Sequence, residues 1–299
     1  MNRDIGSWRF GHAARWARLR SPGELAIVRE RFLSPRGPGL LKKVGLACLF
    51  LILGMRGCLY SLAAEPGRDA KLKVAVGAPY PPFAEHDAEG NLIGFDVDMA
   101  EALCRELGKR CEVRSLVFES ILPALASGEI DFAVAGMAAS EERKRYVDFT
   151  DRYYRSRSIF IEKPGSVGMV TADSIKGLRV GTQTGTAQEE HLREEYGDLI
   201  TIITSDSFDE ILQMLKQGEL DLVLVDGLPG YAYLKADLGN GLETVGEAVS
   251  SKSVPDWACI AVSKKRPGLR DALNKAIESL RRSGEYGRIN RKYFDFTIY

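Results

Sequence analysis

The 299 residues are too many for one ordinary domain and suit two of typical size, and 45% hydrophobic with 27% charged residues is the composition of a soluble globular protein. The formal net charge of zero conceals an asymmetry. Residues 1–63 hold 11 of the 41 basic residues and 3 of the 41 acidic ones, which leaves 30 basic and 38 acidic residues, a charge near −8, for the rest. An acidic chain without a basic stripe or a groove-reading motif argues against a nucleic-acid partner.

The front of the chain has the pattern of a secretory signal. Lys42 and Lys43 precede an apolar run at 44–55, and small residues follow at Ser61 and Ala63. The run between its charged neighbours is too short to span a bilayer comfortably. We therefore expect a signal peptide that is cleaved after Ala63.

Two alternatives are kept for this front segment, residues 1–63. One is a retained membrane anchor, and the other is a lipoprotein modified at Cys58, which ends the stretch MRGC. Arg56 is out of character for a lipoprotein processing site, so cleavage is the favoured hypothesis. Residues 1–41 are Arg-rich without apolar periodicity, and we leave them out of the fold.

Strand and helix signals alternate from Lys71 onward, which predicts an α/β fold with largely parallel sheets. In order, the predicted elements are a strand at 72–77, a helix at 95–108, a strand at 111–117, a helix and strand within 119–137, a helix start at Ser140, a strand and helix within 177–197, a strand at 199–205, a helix and strand within 209–227, and a strand with two helices within 257–294. The pattern restarts near 161–165, which marks a boundary between two lobes.

A near repeat underlies the restart. ESILPALASGEIDFAVAGM at 119–137 and DEILQMLKQGELDLVLVDG at 209–227 match at an offset of 90, and each reads as an amphipathic helix, a Gly stop and a buried strand. The identical pairs are Ile121 and Ile211, Leu122 and Leu212, Leu125 and Leu215, Gly128 and Gly218, Glu129 and Glu219, and Asp131 and Asp221. At the strand end Gly136 stands where Asp226 stands, and we expect the two ends to face each other across a ligand cleft.

The repeat predicts two lobes, each a mostly parallel sheet flanked by helices. The last segment has too few elements for a third domain, so we expect it to return and complete the first lobe. We assign 70–160 plus 256–299 to lobe 1 and 161–255 to lobe 2. The chain then crosses twice between the lobes, which makes a two-strand hinge.

Three cysteines remain after the signal segment. Cys104 falls late in a predicted helix and Cys111 opens the next strand, so a tight turn could bring them together in an oxidising compartment. The alternative is a pair of small buried thiols, which is less favoured because Lys109 and Arg110 mark the turn as exposed. Cys259 is most simply a core residue.

Six motifs cover nearly the whole chain from Lys71 to Phe294. They are YPPF at 80–83, GFDVDMAEAL at 94–103, LPALASGEIDFAVAGM at 122–137, EERKRYVDFTDRYY at 141–154, VGTQTGTAQE at 180–189 and GELDLVLVD at 218–226. In this order they resemble the extracytoplasmic solute-binding proteins of ABC importers, in particular the polar amino-acid-binding family, solute-binding protein family 3. The resemblance implies a two-lobed, type II periplasmic-binding-protein-like fold.

The resemblance also implies a site for the ligand's α-carboxylate. In that family an Arg at the place of Arg143 binds this group, to which the guanidinium fork is suited. The backbone N–H groups of Gly185, Thr186 and Ala187, which lead into a helix, are expected to meet the carboxylate from the other lobe. Without the family context, Arg143 would read as an exposed helix residue paired with a Glu.

The remaining implied contacts are for the α-ammonium and the side chain of the ligand. Asp226 resembles the family's ammonium acceptor, with the carbonyl of Gly136 as a second one; otherwise Asp226 would read as a turn residue. Tyr80 and Phe118 match the aromatic positions that enclose the ligand side chain in relatives, although aromatic residues at such places are more often core.

Two positions depart from the family pattern. Ala138 stands where relatives usually carry Ser or Thr, so only its N–H is left for the carboxylate. Gly77 stands where binders of basic or amide side chains often carry Asp. Because a cationic side chain needs a partner when it is buried, this loss argues against a lysine-like or arginine-like ligand.

These features imply a monomeric binding protein, not an enzyme. It would capture an amino acid by hinge closure in the periplasm or on the extracellular face and deliver it to an ABC permease. The alternatives are a periplasmic enzyme on the same scaffold, similar to cyclohexadienyl dehydratase, and a ligand sensor. His12, His86 and His191 form no constellation, and no zinc spacing or phosphate loop is visible, so we expect neither cofactor nor metal.

Overall fold

The computed structural model describes residues 71–299, so the expected cleavage after Ala63 and the alternative at Cys58 lie outside the described residues. The strands are β1 Leu72–Gly77, β2 Glu85–His86, β3 Leu92–Ile93, β4 Cys111–Leu116, β5 Phe132–Met137, β6 Val147–Arg155, β7 Ser158–Glu162, β8 Arg179–Gln183, β9 Thr201–Ser205, β10 Leu222–Asp226, β11 Glu243–Val249 and β12 Trp257–Ser263. The helices are α1 Phe95–Glu106, α2 Phe118–Ser127, α3 Ala187–Tyr196, α4 Phe208–Gln217, α5 Gly227–Lys235, α6 Leu269–Arg282 and α7 Glu285–Tyr293.

Two five-stranded sheets carry the fold, in the orders β4-β1-β5-β12-β6 and β11-β7-β10-β8-β9. In the first sheet, β12 is antiparallel to both of its neighbours and the other strands share one direction. In the second sheet, β7 is the reversed strand in the same way. The prediction of two lobes, each with a mostly parallel sheet, is confirmed.

The chain crosses between the sheets twice, at 156–157 and at 250–256. The two crossings are tied together, because the N–H of Ser156 donates to the carbonyl of Asp256 at 3.0 Å and Nε of Arg155 donates to the carboxylate of Asp256 at 2.7 Å. The last segment returns to the first sheet through β12. The residue limits assigned to the lobes stay a prediction, and β7 already pairs in the second sheet.

Both copies of the repeat form the expected helix, glycine stop and strand. Helix α2 ends at Gly128 and α4 ends at Gly218, with φ values of 75° and 80° in the left-handed region that glycine adopts without a Cβ clash. The strand that follows each stop, β5 or β10, is the central strand of its sheet. The repeat is therefore a duplicated structural unit with one copy in each lobe.

Buried apolar residues cover both faces of each sheet. On lobe 1, α1 packs with the C-terminal helices through Phe95, Leu273 and Ile289, while Ile121 and Leu125 of α2 cover the opposite face. All five side chains are fully buried. Because helices occupy the faces, a ligand can approach only the edge where the parallel strands end.

The cysteines are placed as the sequence predicts. Cys104 near the end of α1 and Cys111 at the start of β4 form a disulfide, with their Cα atoms 6.1 Å apart. The turn between them, with Lys109 and Arg110, is exposed. Cys259 is a buried free thiol in β12, and burial raises its pKa to about 11, so it behaves as a core residue.

Candidate functional site

A cavity with about 760 Å³ of empty space, open solvent included, lies between the ends of the two sheets. Eight of the nine residues predicted to contact the ligand line it, and Gly185 does not. The eight are Tyr80, Phe118, Gly136, Ala138, Arg143, Thr186, Ala187 and Asp226. The fold thus gathers residues from both lobes at one place.

Arg143 presents a buried guanidinium to this cavity, with 8% of the residue exposed. The helix expected from Ser140 is only a 3-10 turn at Arg143–Arg145, because β6 begins soon after it. Nη1 donates to the carbonyl of Ala138 at 2.9 Å and Nη2 to the carbonyl of Gly185 at 2.8 Å. Burial lowers the pKa of Arg143. A guanidinium has five N–H donors, so three of them have no protein partner among the described residues.

Asp226 supplies the opposite charge from the second lobe. It ends β10 and caps α5, with Oδ1 accepting from the N–H of Leu228 at 3.1 Å and from the hydroxyl of Ser156. Both bonds end on Oδ1, so within the described chain Oδ2 is free to accept a hydrogen bond. Burial raises the pKa of Asp226 to about 6.

Gly136 offers a bare peptide at the matching strand end of lobe 1. Its φ is 59°, and a Cβ atom there would lie 2.4 Å from Oη of Tyr154, so only glycine fits. Its N–H donates to Oη of Tyr153, which in turn donates to Asp96, each at 2.8 Å. Burial raises the pKa of Asp96 to about 8, so this carboxyl is largely protonated at neutral pH.

The hydroxyl of Tyr154 is the notable polar group at the cavity floor. The residue is fully buried and lines the cavity, yet Oη has no hydrogen-bond partner among the described residues. Burial raises the pKa of Tyr154 well above its usual value, so the hydroxyl keeps its proton. An unpaired buried hydroxyl is costly, so this group is ready for a ligand.

The two predicted aromatic residues form walls. Tyr80 follows β1, and its ring packs edge-on against Phe208 of α4 in the other lobe at 5.3 Å between centroids. Phe118 begins α2, and its ring centroid lies 5.7 Å from Cζ of Arg143. Both residues are half-buried, so their rings are available to an apolar part of a ligand.

The loop before α3 offers fewer donors than its sequence suggests. The N–H of Gly185 already donates to Oε2 of Glu189 at 2.7 Å, and Thr186 caps the helix through the N–H of Glu189. Thr186 and Ala187 line the cavity and keep their N–H groups at this helix start. Gly185 contributes through its carbonyl, which holds Arg143 in place.

Further polar and aromatic residues of the cavity lining escaped the sequence reasoning. They are Tyr154, Ser156, Ser158, Gln183, Gln188, Asp206 and Trp257. The sequence did contain a signal for Gln183 and Asp206. Each stands at the end of a predicted strand, as Asp226 does. Ser156 lies in the first crossing, which no local pattern marks.

Within residues 71–299, no three His, Cys, Asp or Glu side chains are arranged to hold a metal ion. In the same range no helix is long and apolar enough to cross a membrane. His86 lies in β2 and His191 in α3, where Nδ1 of His191 is 3.3 Å from the hydroxyl of Ser253.

Comparison with known proteins yields consistent matches. The model of the bacterial extracellular solute-binding proteins, family 3, matches residues 72–296. The L-arginine-binding protein of Pseudomonas aeruginosa is 33% identical over 234 residues, which span 77% of this chain and 90% of that protein. A structure of an ancestral arginine-binding protein bound to arginine has a TM-score of 0.70 and 36% identity, over 76% of this chain and 99% of that one. An ancestral amino acid-binding protein described as a precursor of cyclohexadienyl dehydratase has a TM-score of 0.67 and 27% identity, over 75% of this chain and 96% of that one.

Proposed function

Because the chain belongs to the bacterial extracellular solute-binding proteins of family 3, we propose that it captures a free L-amino acid or close analogue between its lobes and delivers it to an ABC permease. It acts as a monomer in the periplasm or on the extracellular face. One observation carries the ligand class: a guanidinium from lobe 1 and a carboxylate from lobe 2 line the same cavity with hydrogen-bonding atoms to spare.

The ligand's α-carboxylate pairs with Arg143. The guanidinium is already oriented by two backbone carbonyls, and a carboxylate can accept two of its remaining N–H donors in parallel. Ala138 from lobe 1 and Thr186 and Ala187 from lobe 2 line the same cavity, and their N–H groups are further donors for this carboxylate. Ala138 has no hydroxyl, so its N–H alone serves here.

The α-ammonium pairs with Asp226. An ammonium has three N–H donors. Oδ2 of Asp226 accepts one, the carbonyl of Gly136 accepts a second, and the unpartnered Oη of Tyr154 accepts the third. The Tyr154 contact lies on the ammonium side, so it is separate from the carboxylate contact that Ala138 makes without a hydroxyl.

Closure of the lobes about the hinge traps the ligand. Ser156 connects the hinge to the ligand site. Its N–H donates to the second crossing at Asp256, while its hydroxyl donates to Asp226. Ligand contacts to Arg143 and Asp226 come from different lobes, so the bound ligand stabilises the closed arrangement relative to an open one.

Calorimetric titration with the common amino acids tests the proposal. Arg143→Ala leaves the ligand carboxylate unpaired, at a cost of about 2–5 kcal/mol by analogy with desolvated interfacial pairs, so affinity falls well over tenfold. Arg145→Ala is the matched control, since it removes an exposed arginine of the same turn and leaves affinity unchanged. Binding of no amino acid would refute the ligand class; wild-type affinity in Arg143→Ala would refute the site.

A dehydratase is the second candidate, because a structural neighbour is a precursor of such an enzyme. Its chemistry needs a group that transfers protons in the cavity, and Asp226, whose pKa is raised to about 6 by burial, is a lining carboxyl suited to that role. We favour non-enzymatic binding, in which Asp226 stays ionised against an ammonium. Turnover of a cyclohexadienyl substrate that disappears in Asp226→Asn would establish the enzyme instead.

Export removes the front of the chain in this proposal. Signal peptidase cleaves after Ala63, since Ser61 and Ala63 are the small residues that it needs. The intact mass of the mature protein tests this directly. A mature chain that begins at lipid-modified Cys58 would replace the free periplasmic protein with a membrane-tethered one.

A further inference from the structure

The end of the cavity away from the α-group contacts carries its own carboxylate, Asp206. In lobe 2 the parallel strands β10, β8 and β9 are neighbours in that order. Asp226 ends the first, Gln183 ends the second, and Asp206 directly follows the third. Neighbouring strands lie about 4.8 Å apart, so Asp206 stands about 10 Å from Asp226 along the sheet edge.

Lobe 1 faces this end with Gly77 and Phe118. Strands β5, β1 and β4 are neighbours, so Gly77 and Phe118 lie progressively farther from Gly136 along the edge. The packing of Tyr80, just after β1, on Phe208, just after Asp206, joins these parts of the two lobes. A ligand held by its α-groups therefore extends its side chain between Phe118 and Asp206.

Asp206 is unneutralised. It lines both the ligand cavity and the groove that continues from it, and among the described residues its carboxylate has no hydrogen bond or ion pair. Nε2 of Gln183 donates to the backbone carbonyl of Asp206 at 3.0 Å. Oε1 of Gln183 has no donor among the described residues and is a second acceptor, so the distal end of the described lining offers acceptors and no cation.

The charges of the lining set the charge of the ligand. The described residues that line the cavity include one cation, Arg143, and two carboxylates, Asp206 and Asp226. The α-groups of an amino acid pair with Arg143 and Asp226, which leaves the charge of Asp206 unmatched. Asp206 is exposed, so water can solvate its carboxylate, but a ligand with a further positive charge on a long side chain complements all three groups.

We infer that the ligand is an amino acid with a cationic side chain, of the guanidinium class, and that Asp206 with Gln183 binds that distal group. This rests on the proposed function and names its ligand class. It runs against the expectation from Gly77, which considered the acid of one lobe only; Asp206 supplies a carboxylate from the other lobe. A guanidinium with its planar set of donors suits a carboxylate beside an amide oxygen.

The sharpest test compares arginine with citrulline, its neutral analogue of the same shape, by calorimetry on the mature protein. We expect wild type to bind arginine about tenfold or more tighter than citrulline, since a hydrogen bond to a charged group contributes more than one to a neutral group. Asp206→Asn should weaken arginine binding by about that factor and leave citrulline nearly unchanged.

Two further variants distinguish a direct contact between Asp206 and the ligand from a general effect of negative charge near the cavity. Glu210→Gln removes a carboxylate from the adjoining groove but not from the cavity lining, and should keep the wild-type preference. Gly77→Asp in the Asp206→Asn background should restore the preference for arginine from lobe 1. A Cβ atom at Gly77 meets its nearest neighbour, Ala135, at 3.6 Å, an ordinary contact.

Each other outcome overturns the inference. Equal affinity of wild type for arginine and citrulline, or an equal loss of both in Asp206→Asn, shows that Asp206 does not contact a distal cation. Tighter binding of glutamine or an apolar amino acid than of arginine does the same and leaves the proposed function standing. Failure of every amino acid to bind refutes the proposed function itself.

Discussion

The two copies of the repeat share an arrangement of helix, glycine stop, aspartate and strand, here called the frame, and they differ at the end of the strand. In each, a left-handed glycine stops the helix, and an aspartate just before the next strand accepts the N–H of a residue in the parallel strand beside it in the sheet, β1 or β8. Asp131 binds the N–H of Lys73 at 2.8 Å, and Asp221 binds the N–H of Arg179 at 2.8 Å. The frame therefore fixes where β5 and β10 end relative to their sheets.

The strand ends then diverge in chemistry. Gly136 in lobe 1 is a bare peptide pressed against Tyr154, whereas Asp226 in lobe 2 is a carboxylate that caps the next helix. Lobe 1 adds a cation through Arg143, and lobe 2 adds a second acid at Asp206. Duplicating one frame thus places two unlike groups opposite each other, which is what a zwitterion requires.

The largest effect is expected where the two ends differ most. Gly136→Ala combines a positive φ with a Cβ placed 2.4 Å from Oη of Tyr154, and should lower the free energy of unfolding by about 4 kcal/mol. Urea unfolding measures this. Tyr154→Phe in the same chain should recover part of the loss, because the next atom is 3.6 Å away. Gly77→Ala, without close contacts, is the control, and an equal cost there would contradict the explanation.

A matched pair of substitutions tests the shared frame. Asp131 is 2% exposed and also binds Arg266, so Asp131→Ala should cost about 3 kcal/mol because a buried carboxylate that accepts two hydrogen bonds is lost. The side chain of Asp221 is 32% exposed beside Arg179, and solvent screening reduces the cost of Asp221→Ala to about 1 kcal/mol. Thermal unfolding of both variants gives the order, and a reversed order would break the comparison.

Only lobe 1 has a disulfide in the described chain. Cys104 and Cys111 close a short loop, and replacing both with alanine should lower the free energy of unfolding by about 2.5 kcal/mol on the chain-entropy account. Denaturant unfolding measures the loss. As a check, thiol labelling of the denatured, unreduced mature protein should find Cys259 alone reactive; three reactive thiols would show that no bond forms.

The smallest expected effect is a pH dependence of ligand binding. It arises because the strand end of lobe 2, Asp226, can titrate, whereas that of lobe 1, Gly136, cannot. Asp226, with a pKa of about 6, must be ionised to bind an ammonium, so protonation below that pH weakens binding. Affinity should therefore be full near pH 7.5 and about tenfold lower at pH 5. Titrations across this range measure it. Asp226→Asn should bind weakly with a flat profile; a persisting slope would point to another group.

Short-range patterns predicted most of the frame. The spacing of apolar residues and the stops at Gly128 and Gly218 were sufficient for α2, α4 and the strands after them, because these signals act within a few residues. The helix expected from Ser140 shows the limit, since the nearby start of β6 leaves room for only a 3-10 turn. Tertiary pairing overrode a local capping signal there.

Sequence patterns alone predicted two lobes and offered Cys104 and Cys111 as a disulfide pair, and the family resemblance singled out Arg143 and Asp226. The order of strands was decided only in three dimensions: β10 lies beside β8 and β8 beside β9, which brings Gln183 and Asp206 into the cavity with Asp226. Helix periodicity and glycine stops depend on residues close together in the sequence. The way in which the two sheet edges face each other depends on packing between residues far apart in the chain.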